Sequence, residues 1–243
     1  MLSFPAASAP DRPGGMRQTD ESTRAHLRAW PPPLPGKAKA TQDPVNRVNI
    51  VSDRRSRMPL VLATTTPGEP EIFASLQGEG PSAGKPCAFV RLSRCNLACR
   101  WCDTAYTWRF DGDNRPHRDN LAYDRQANQV TLSEAEVAER IAALDKPRLV
   151  VTGGEPLLQA PALARTLALL PRIRVEIETN GTVAPPAALD PLVAQYNVSP
   201  KLAHSGNPAE LALVPDRLRH WAQEPRAFFK FVIAEPSDVD EVL

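Results

Sequence analysis

Three of the four cysteines fall within one short stretch, as Cys95, Cys99 and Cys102, and that spacing restricts the chemistry they can do. Three thiolates on one tight loop can grip three irons of a cubic cluster but cannot supply a fourth ligand. A structural zinc site takes four protein ligands, commonly as two separated pairs, and four-iron ferredoxin sites use four cysteines at other spacings. The absent ligand leaves one iron open to a small molecule. Thiols packed this densely in a chain without a secretory signal read as ligands rather than as a disulfide. Cys87 stands outside the group and is expected to be a buried thiol.

A second group is Thr152-Gly153-Gly154-Glu155-Pro156, directly after an apolar run. A glycine pair at the end of a strand lets backbone approach a ligand closely. With the cysteine spacing, and with Trp101 before the third cysteine, the chain resembles the radical S-adenosylmethionine superfamily. The resemblance implies a [4Fe-4S] cluster on Cys95, Cys99 and Cys102. Its unique iron would bind the amino and carboxylate groups of S-adenosylmethionine, with Gly154 against that cofactor.

A narrower likeness begins at Phe73-Ala74-Ser75-Leu76-Gln77-Gly78-Glu79-Gly80-Pro81. It continues through Gly84, Phe89-Val90-Arg91-Leu92, Cys102-Asp103-Thr104, Thr152 to Gln159, Glu178-Thr179-Asn180-Gly181-Thr182 and Ser199-Pro200-Lys201. These residues resemble the 7-carboxy-7-deazaguanine synthase family, over roughly residues 70 to 235. The resemblance implies a 6-carboxy-5,6,7,8-tetrahydropterin substrate, converted to 7-carboxy-7-deazaguanine and ammonia. It places Leu76, Gln77, Gly78 and Glu79 on the purine-like edge, Arg91 on the substrate carboxylate and Thr152 on the substrate. A charge-assisted arginine fork suits a carboxylate. Thr104 would be a Mg²⁺ ligand, with Asp103 the alternative, and Ser199, Pro200 and Lys201 would hold S-adenosylmethionine.

The mechanism implied by the resemblance starts with an electron from flavodoxin or ferredoxin. Cleavage of the cofactor's carbon–sulfur bond then yields a 5′-deoxyadenosyl radical that takes a hydrogen beside the substrate carboxylate. A homodimer is expected, with no requirement for nucleic acid or membrane. Two rival readings fit parts of the sequence. One is a glycyl-radical activase, which shares the cysteine and Gly-Gly-Glu elements but acts on a protein. The other is a non-catalytic metal-binding module with a basic arm.

The elements that must position these groups follow from periodicity. Ala88 to Arg91, Arg148 to Thr152, Ile173 to Glu178, Tyr196 to Ser199 and Phe228 to Ile233 are predicted strands. Ser133 to Leu144 is a predicted helix opened by a Ser133/Glu136 capping pattern. Pro161 suits the first turn of a helix carrying Leu163, Leu167 and Leu170. Glu210 to Trp221 reads as helix interrupted at Pro215, and Ser237 opens a last helix. Strand and helix alternate, so the expected fold class is α/β with a parallel sheet and function at the strands' C-terminal ends. By resemblance it is a partial (β/α)6-type radical-SAM barrel with about six parallel strands. After the Ser237 helix the resemblance implies a further strand and closing segment, and the reading is that this chain, ending at Leu243, lacks them.

The charge distribution separates this domain from what precedes it. The full chain has 29 Lys+Arg against 28 Asp+Glu, which excludes a strongly basic field for wrapping nucleic acid. Residues 1–57 hold ten basic and five acidic residues with eight prolines, and show no sustained apolar periodicity. They are expected to be a disordered Pro/Arg-rich extension, because such a composition cannot bury enough surface to offset chain entropy. Residues 58–243 are then the core domain, with Met58-Pro59-Leu60-Val61-Leu62 readable as the end of a linker or as a translation start. No stretch has the roughly 18 consecutive apolar residues of a membrane span, and a cytoplasmic location is expected.

Overall fold

The computed structural model describes residues 59–243. The expected extension over 1–57 and the alternative start at Met58 lie outside the described residues.

Eight strands form one sheet: β1 (Leu60–Ala63), β2 (Ile72–Leu76), β3 (Pro86–Leu92), β4 (Gln129–Leu132), β5 (Arg148–Gly153), β6 (Arg174–Thr179), β7 (Gln195–Val198) and β8 (Ala227–Phe229). The order is β4-β1-β3-β5-β6-β7-β8, with β2 also on β3. From β3 to β8 the five strands run parallel. β1 and β2 add antiparallel to β3, and β4 antiparallel to β1. The sheet is an open, partial barrel, with five parallel strands where about six were expected and three antiparallel strands beyond them.

The parallel strands alternate in character because their two faces do different work. Ala88, Val90 and Leu92, then Leu149 and Val151, Val175 and Ile177, Tyr196 and Val198 all belong to one buried apolar cluster. Helices α2 (Glu134–Ala143) and α3 (Ala160–Ala168) join it through Val137, Ile141, Leu163 and Leu167. Each such side chain contributes on the order of 1.5–3 kcal/mol by leaving water. The intervening residues, including Arg91, Thr152, Glu176, Glu178 and Asn197, take the opposite face. Glu176 is fully buried there, bonded by Gln77, Ser82 and Arg148.

Local signals account for the helix boundaries. Ser133 and Glu136 form a reciprocal capping box at the start of α2, and Pro161 lies in the first turn of α3. The interruption expected at Pro215 divides α4 (Ala209–Ala212) from α5 (Pro215–Gln223). A four-residue α1 (Arg125–Asn128) follows Asp124, whose side chain caps it. The last strand is shorter than expected, ending at Phe229, although Lys230 N still donates to Val198 O at 2.8 Å. Helix α6 (Asp238–Val242) follows Ser237 as expected.

One buried amide ties the antiparallel part to the parallel part. The β1–β3 ladder has a single register pair, Leu62 with Leu92. Gln159 supplements it: its Oε1 accepts from Val61 N at 2.8 Å, and its Nε2 donates to Val61 O and Ser93 O at 2.9 Å. Among the described residues no helix is long and apolar enough to cross a membrane.

Candidate active site

The cysteine loop leaves the C-terminal end of β3, and the loops after β5, β6 and β7 meet it there. Together they enclose a cavity of about 320 Å³. Cys95, Cys99 and Cys102 line it, with Thr104, Gly154, Ser199, Lys201, Glu79, Arg91 and Thr152 from the sequence reading. Four residues of that reading do not line it. Leu76 is 59 % exposed and outside the cavity, while Gln77 is 2 % exposed with its amide on Glu176. Gly78 is also outside the wall, and Pro200 is buried behind Ser199 and Lys201. Glu79 alone of the 76–79 segment reaches the cavity, paired with Lys230 beyond β8.

The glycine pair is required by the protein's own backbone. Gly153 has φ +141°, and a Cβ there would lie 2.0 Å from Leu92 O. A Cβ on Gly154 would meet Arg94 O at 2.1 Å and Cys95 Cβ at 2.9 Å. Gly154 N and Glu155 N donate to Leu92 O and Arg94 O at 3.0 and 2.9 Å, carrying the β3–β5 pairing into the cysteine loop. Glu155 turns away from the cavity. Its carboxylate accepts from Leu157 N, Thr179 Oγ1 and Asn180 N, joining the turns after β5 and β6. Desolvation by complete burial pushes it up to about 7.

Each thiol has a nitrogen donor that the sequence reading did not assign. Asn207 Nδ2 lies 3.2 Å from Cys99 Sγ, Trp108 Nε1 3.4 Å from Cys102 Sγ, and Asn180 Nδ2 3.9 Å from Cys95 Sγ. Asn207 also accepts from Ala98 N at 2.8 Å, so one side chain holds both the loop backbone and a sulfur. Asn180 falls inside a motif the sequence flagged. Asn207 is 108 positions from its cysteine and carried no signal.

These donors suit anionic sulfur, since N–H bonds to ligating thiolates tune iron–sulfur sites. The thiols line one wall, and among the described residues no group of three His, Cys, Asp or Glu could hold a single metal ion. A cubic cluster asks for that wider arrangement, because each thiolate serves a different iron. Desolvation pushes Cys95 up to about 12 and raises Cys99, so ligation must displace protons. Beside the cysteine loop, Lys201 Nζ donates to Ser199 Oγ at 2.8 Å and lies 5.7 Å from the Trp101 ring centre. Desolvation lowers the Lys201 pKa.

Comparison with known proteins agrees with this geometry. The radical SAM superfamily model matches residues 90–200. The 7-carboxy-7-deazaguanine synthase of Pyrobaculum aerophilum is 38 % identical over 174 residues, covering 71 % of this chain and 69 % of its own. That of Hyperthermus butylicus is also 38 % identical, over 71 % of this chain and 67 % of its own. The chain belongs to the 7-carboxy-7-deazaguanine synthase family. A crystal structure of QueE from Escherichia coli superposes with TM-score 0.52 and 27 % identity, covering 71 % of this chain and 73 % of that one. Membership of this family brings with it the [4Fe-4S] cluster and S-adenosylmethionine of radical SAM enzymes.

The synthase-family site has a floor as well as a rim. Register pairs align Arg91 with Thr152 across β3 and β5, and Glu178 with Asn197 across β6 and β7. β5 and β6 pair Val151 with Ile177, so Thr152 and Glu178 are next in line. All four line the cavity. Arg91 Nε lies 2.7 Å from Glu71, whose two carboxylate oxygens accept from Tyr106 at 2.9 Å. Desolvation raises the Glu178 pKa, against hydrogen bonds from Thr152 and Gln77.

Proposed function

We propose that this chain converts 6-carboxy-5,6,7,8-tetrahydropterin to 7-carboxy-7-deazaguanine with loss of ammonia. The carrying observation is that the three thiols, Gly154 and the polar floor from Arg91 to Glu178 open on one cavity. Substrate and product differ by one ammonia, so the ring contraction is redox-neutral overall. When bound, the cluster and S-adenosylmethionine supply one-electron initiation, and Mg²⁺ supplies positive charge to a carboxylate.

The chain's own residues supply position and exclusion of water. The Arg91 guanidinium, ion-paired with Glu71 through Nε, lines the cavity and would take the substrate carboxylate. Asp103 and Thr104 line the cavity beside Cys102 and offer hard oxygen donors of the kind Mg²⁺ takes in small number. Thr152 contributes a hydroxyl at the middle of the floor, and Glu79 a carboxylate at its edge. Lys201, Ser199 and Gly154 all line the cavity and would hold the cofactor's amino-acid group. Flavodoxin or ferredoxin as the reductant, and a homodimeric assembly, belong to the same proposal.

Anaerobic reconstitution with iron and sulfide, followed by reaction with the tetrahydropterin, S-adenosylmethionine, Mg²⁺ and a reductant, tests the reading. Product and ammonia are expected in equal amounts. Consumption of S-adenosylmethionine with no deazaguanine formed under any of these conditions overturns it.

A further inference from the structure

Asn197 is 2 % exposed, lines the cavity, and carries a buried Nδ2 with no hydrogen-bond partner among the described residues. Its orientation is set by the other half of the amide. Oδ1 accepts from Gln195 Nε2 at 3.0 Å, and Gln195 Nε2 in turn reaches Ser82 Oγ at 3.4 Å. Gly80 closes over the same oxygen: a Cβ there would lie 2.4 Å from Asn197 Oδ1. The amide is therefore pinned on its acceptor side, while its donor nitrogen is unpaired among the described residues on a side chain that lines the cavity. Burying an unpaired donor is unfavourable, and native structures rarely leave one without a partner.

The position of Asn197 identifies that partner's chemistry. It ends the row Arg91, Thr152, Glu178, Asn197, which crosses four adjacent parallel strands. Three strand spacings separate the ends, roughly 14 Å between Cα atoms at about 4.8 Å per strand. Side chains reaching inward from both ends shorten that span to the length of a two-ring heterocycle bearing a carboxylate at one end. A carboxylate at Arg91 puts the opposite ring edge between Glu178 and Asn197. There an acceptor and a donor stand side by side in register. An adjacent ring N–H and ring carbonyl, the lactam edge of a pterin or deazaguanine, complements that pair.

We infer that Asn197 is a specificity-determining residue whose Nδ2 donates to the ring carbonyl of the bound heterocycle, while Glu178 accepts from the neighbouring ring N–H. The inference rests on the substrate reading above and deepens it. It adds a contact from the floor of the sheet to the ring-edge residues expected in the 76–79 segment.

Equilibrium binding to the reconstituted protein tests it, with 7-carboxy-7-deazaguanine as the air-stable lactam probe and its 4-deoxo analogue as the comparison. Wild type should prefer the lactam by roughly 10-fold or more, as expected for a site whose buried donor is otherwise left unpaired. Asn197→Ala and the isosteric Asn197→Asp should both lose most of that preference, with iron content and S-adenosylmethionine binding retained. The same preference in wild type and both variants overturns the inference and assigns the amide to a bound water or to packing. A wild type that binds the lactam but does not discriminate overturns it equally. A wild type that neither binds the lactam nor converts the tetrahydropterin overturns the functional reading, and the inference falls with it.

Discussion

Gly154 stands against Arg94 so closely that a Cβ on the glycine would fall 2.1 Å from the Arg94 carbonyl oxygen. The glycine therefore serves the cysteine loop before it serves any ligand. Gly154→Ala is expected to push Arg94 and Cys95 outward, costing about 1–3 kcal/mol as overpacked sites do, and to lower iron per chain on reconstitution. If the variant keeps full iron content and loses only S-adenosylmethionine affinity, its contact is with the cofactor alone.

The sulfur environment separates ligands from bystanders. Single Cys95→Ala, Cys99→Ala and Cys102→Ala variants should each fail to assemble the cluster, while Cys87→Ala should retain it. Cys87 is fully buried on β3, 3.7 Å from Ser75 O and outside the cavity wall. Asn207→Leu removes the donor to Cys99 and the support of Ala98. A more negative reduction potential and poorer loading should follow, because hydrogen bonds to ligating sulfur stabilise the reduced, more negative cluster. An unchanged potential at full iron loading would show that Asn207 only supports the loop.

What the sequence disclosed was whatever chemistry constrains locally. The cysteine spacing, the Gly153-Gly154 turn and the Ser133 capping box are each set by neighbours a few residues away. Asn207 and Trp108 were illegible as sulfur donors because tertiary folding delivers them. β2 escaped notice because four of its five residues are exposed and carry no core periodicity. β1 is a four-residue apolar run with only one register pair to β3. Gln77, a polar residue in a ligand-like motif, also bonds to a fully buried glutamate, Glu176, a partner that the motif does not announce. A charged residue alternating with apolar ones on a strand can face the interior of a partial barrel, as Glu176 and Glu178 do.

Thr104 offers a test of the magnesium proposal that is independent of the cluster. Its hydroxyl lies 3.6 Å from Cys102 Sγ and on the cavity wall. Thr104→Ala should reduce the stimulation of turnover by Mg²⁺ more than it reduces iron content. Equal stimulation of wild type and variant removes Thr104 from the metal's surroundings.

Gln159 should matter to stability without touching the site. Gln159→Leu strands Val61 N and Ser93 O, which the amide now satisfies, while Val61 O keeps its bond from Ser93 N at 2.9 Å. A loss of at least about 1–3 kcal/mol is expected, since a buried group left unpaired costs that much. Chemical denaturation of the two proteins measures it, and equal midpoints at equal slopes would show that β1 is held by its ladder with β4 and by packing, without help from the amide.

The acid limb of the stability curve should depend on Arg226. Its guanidinium pairs with Glu224 at 2.7 Å and Asp190 at 2.8 Å and also donates to the backbone carbonyls of Asp190 and Val193. Hydrogen bonding from Arg226 holds Glu224 down to about 2 from an ordinary 4.5. A depressed carboxylate binds fewer protons folded than unfolded, so its contribution is complete above the unfolded value and is lost as pH falls from 4.5 through about 2. The pair lies near the surface, with the Glu224 side chain 13 % and the Arg226 side chain 30 % exposed, and screening reduces the contribution. Arg226→Met should be less stable than wild type at neutral pH, with the gap narrowing across that acid window. Denaturant unfolding at a series of pH values measures the gap. A difference that stays constant down to pH 2 would mean that the arginine acts through its backbone carbonyl bonds and its stacking on Tyr196 rather than through the carboxylates.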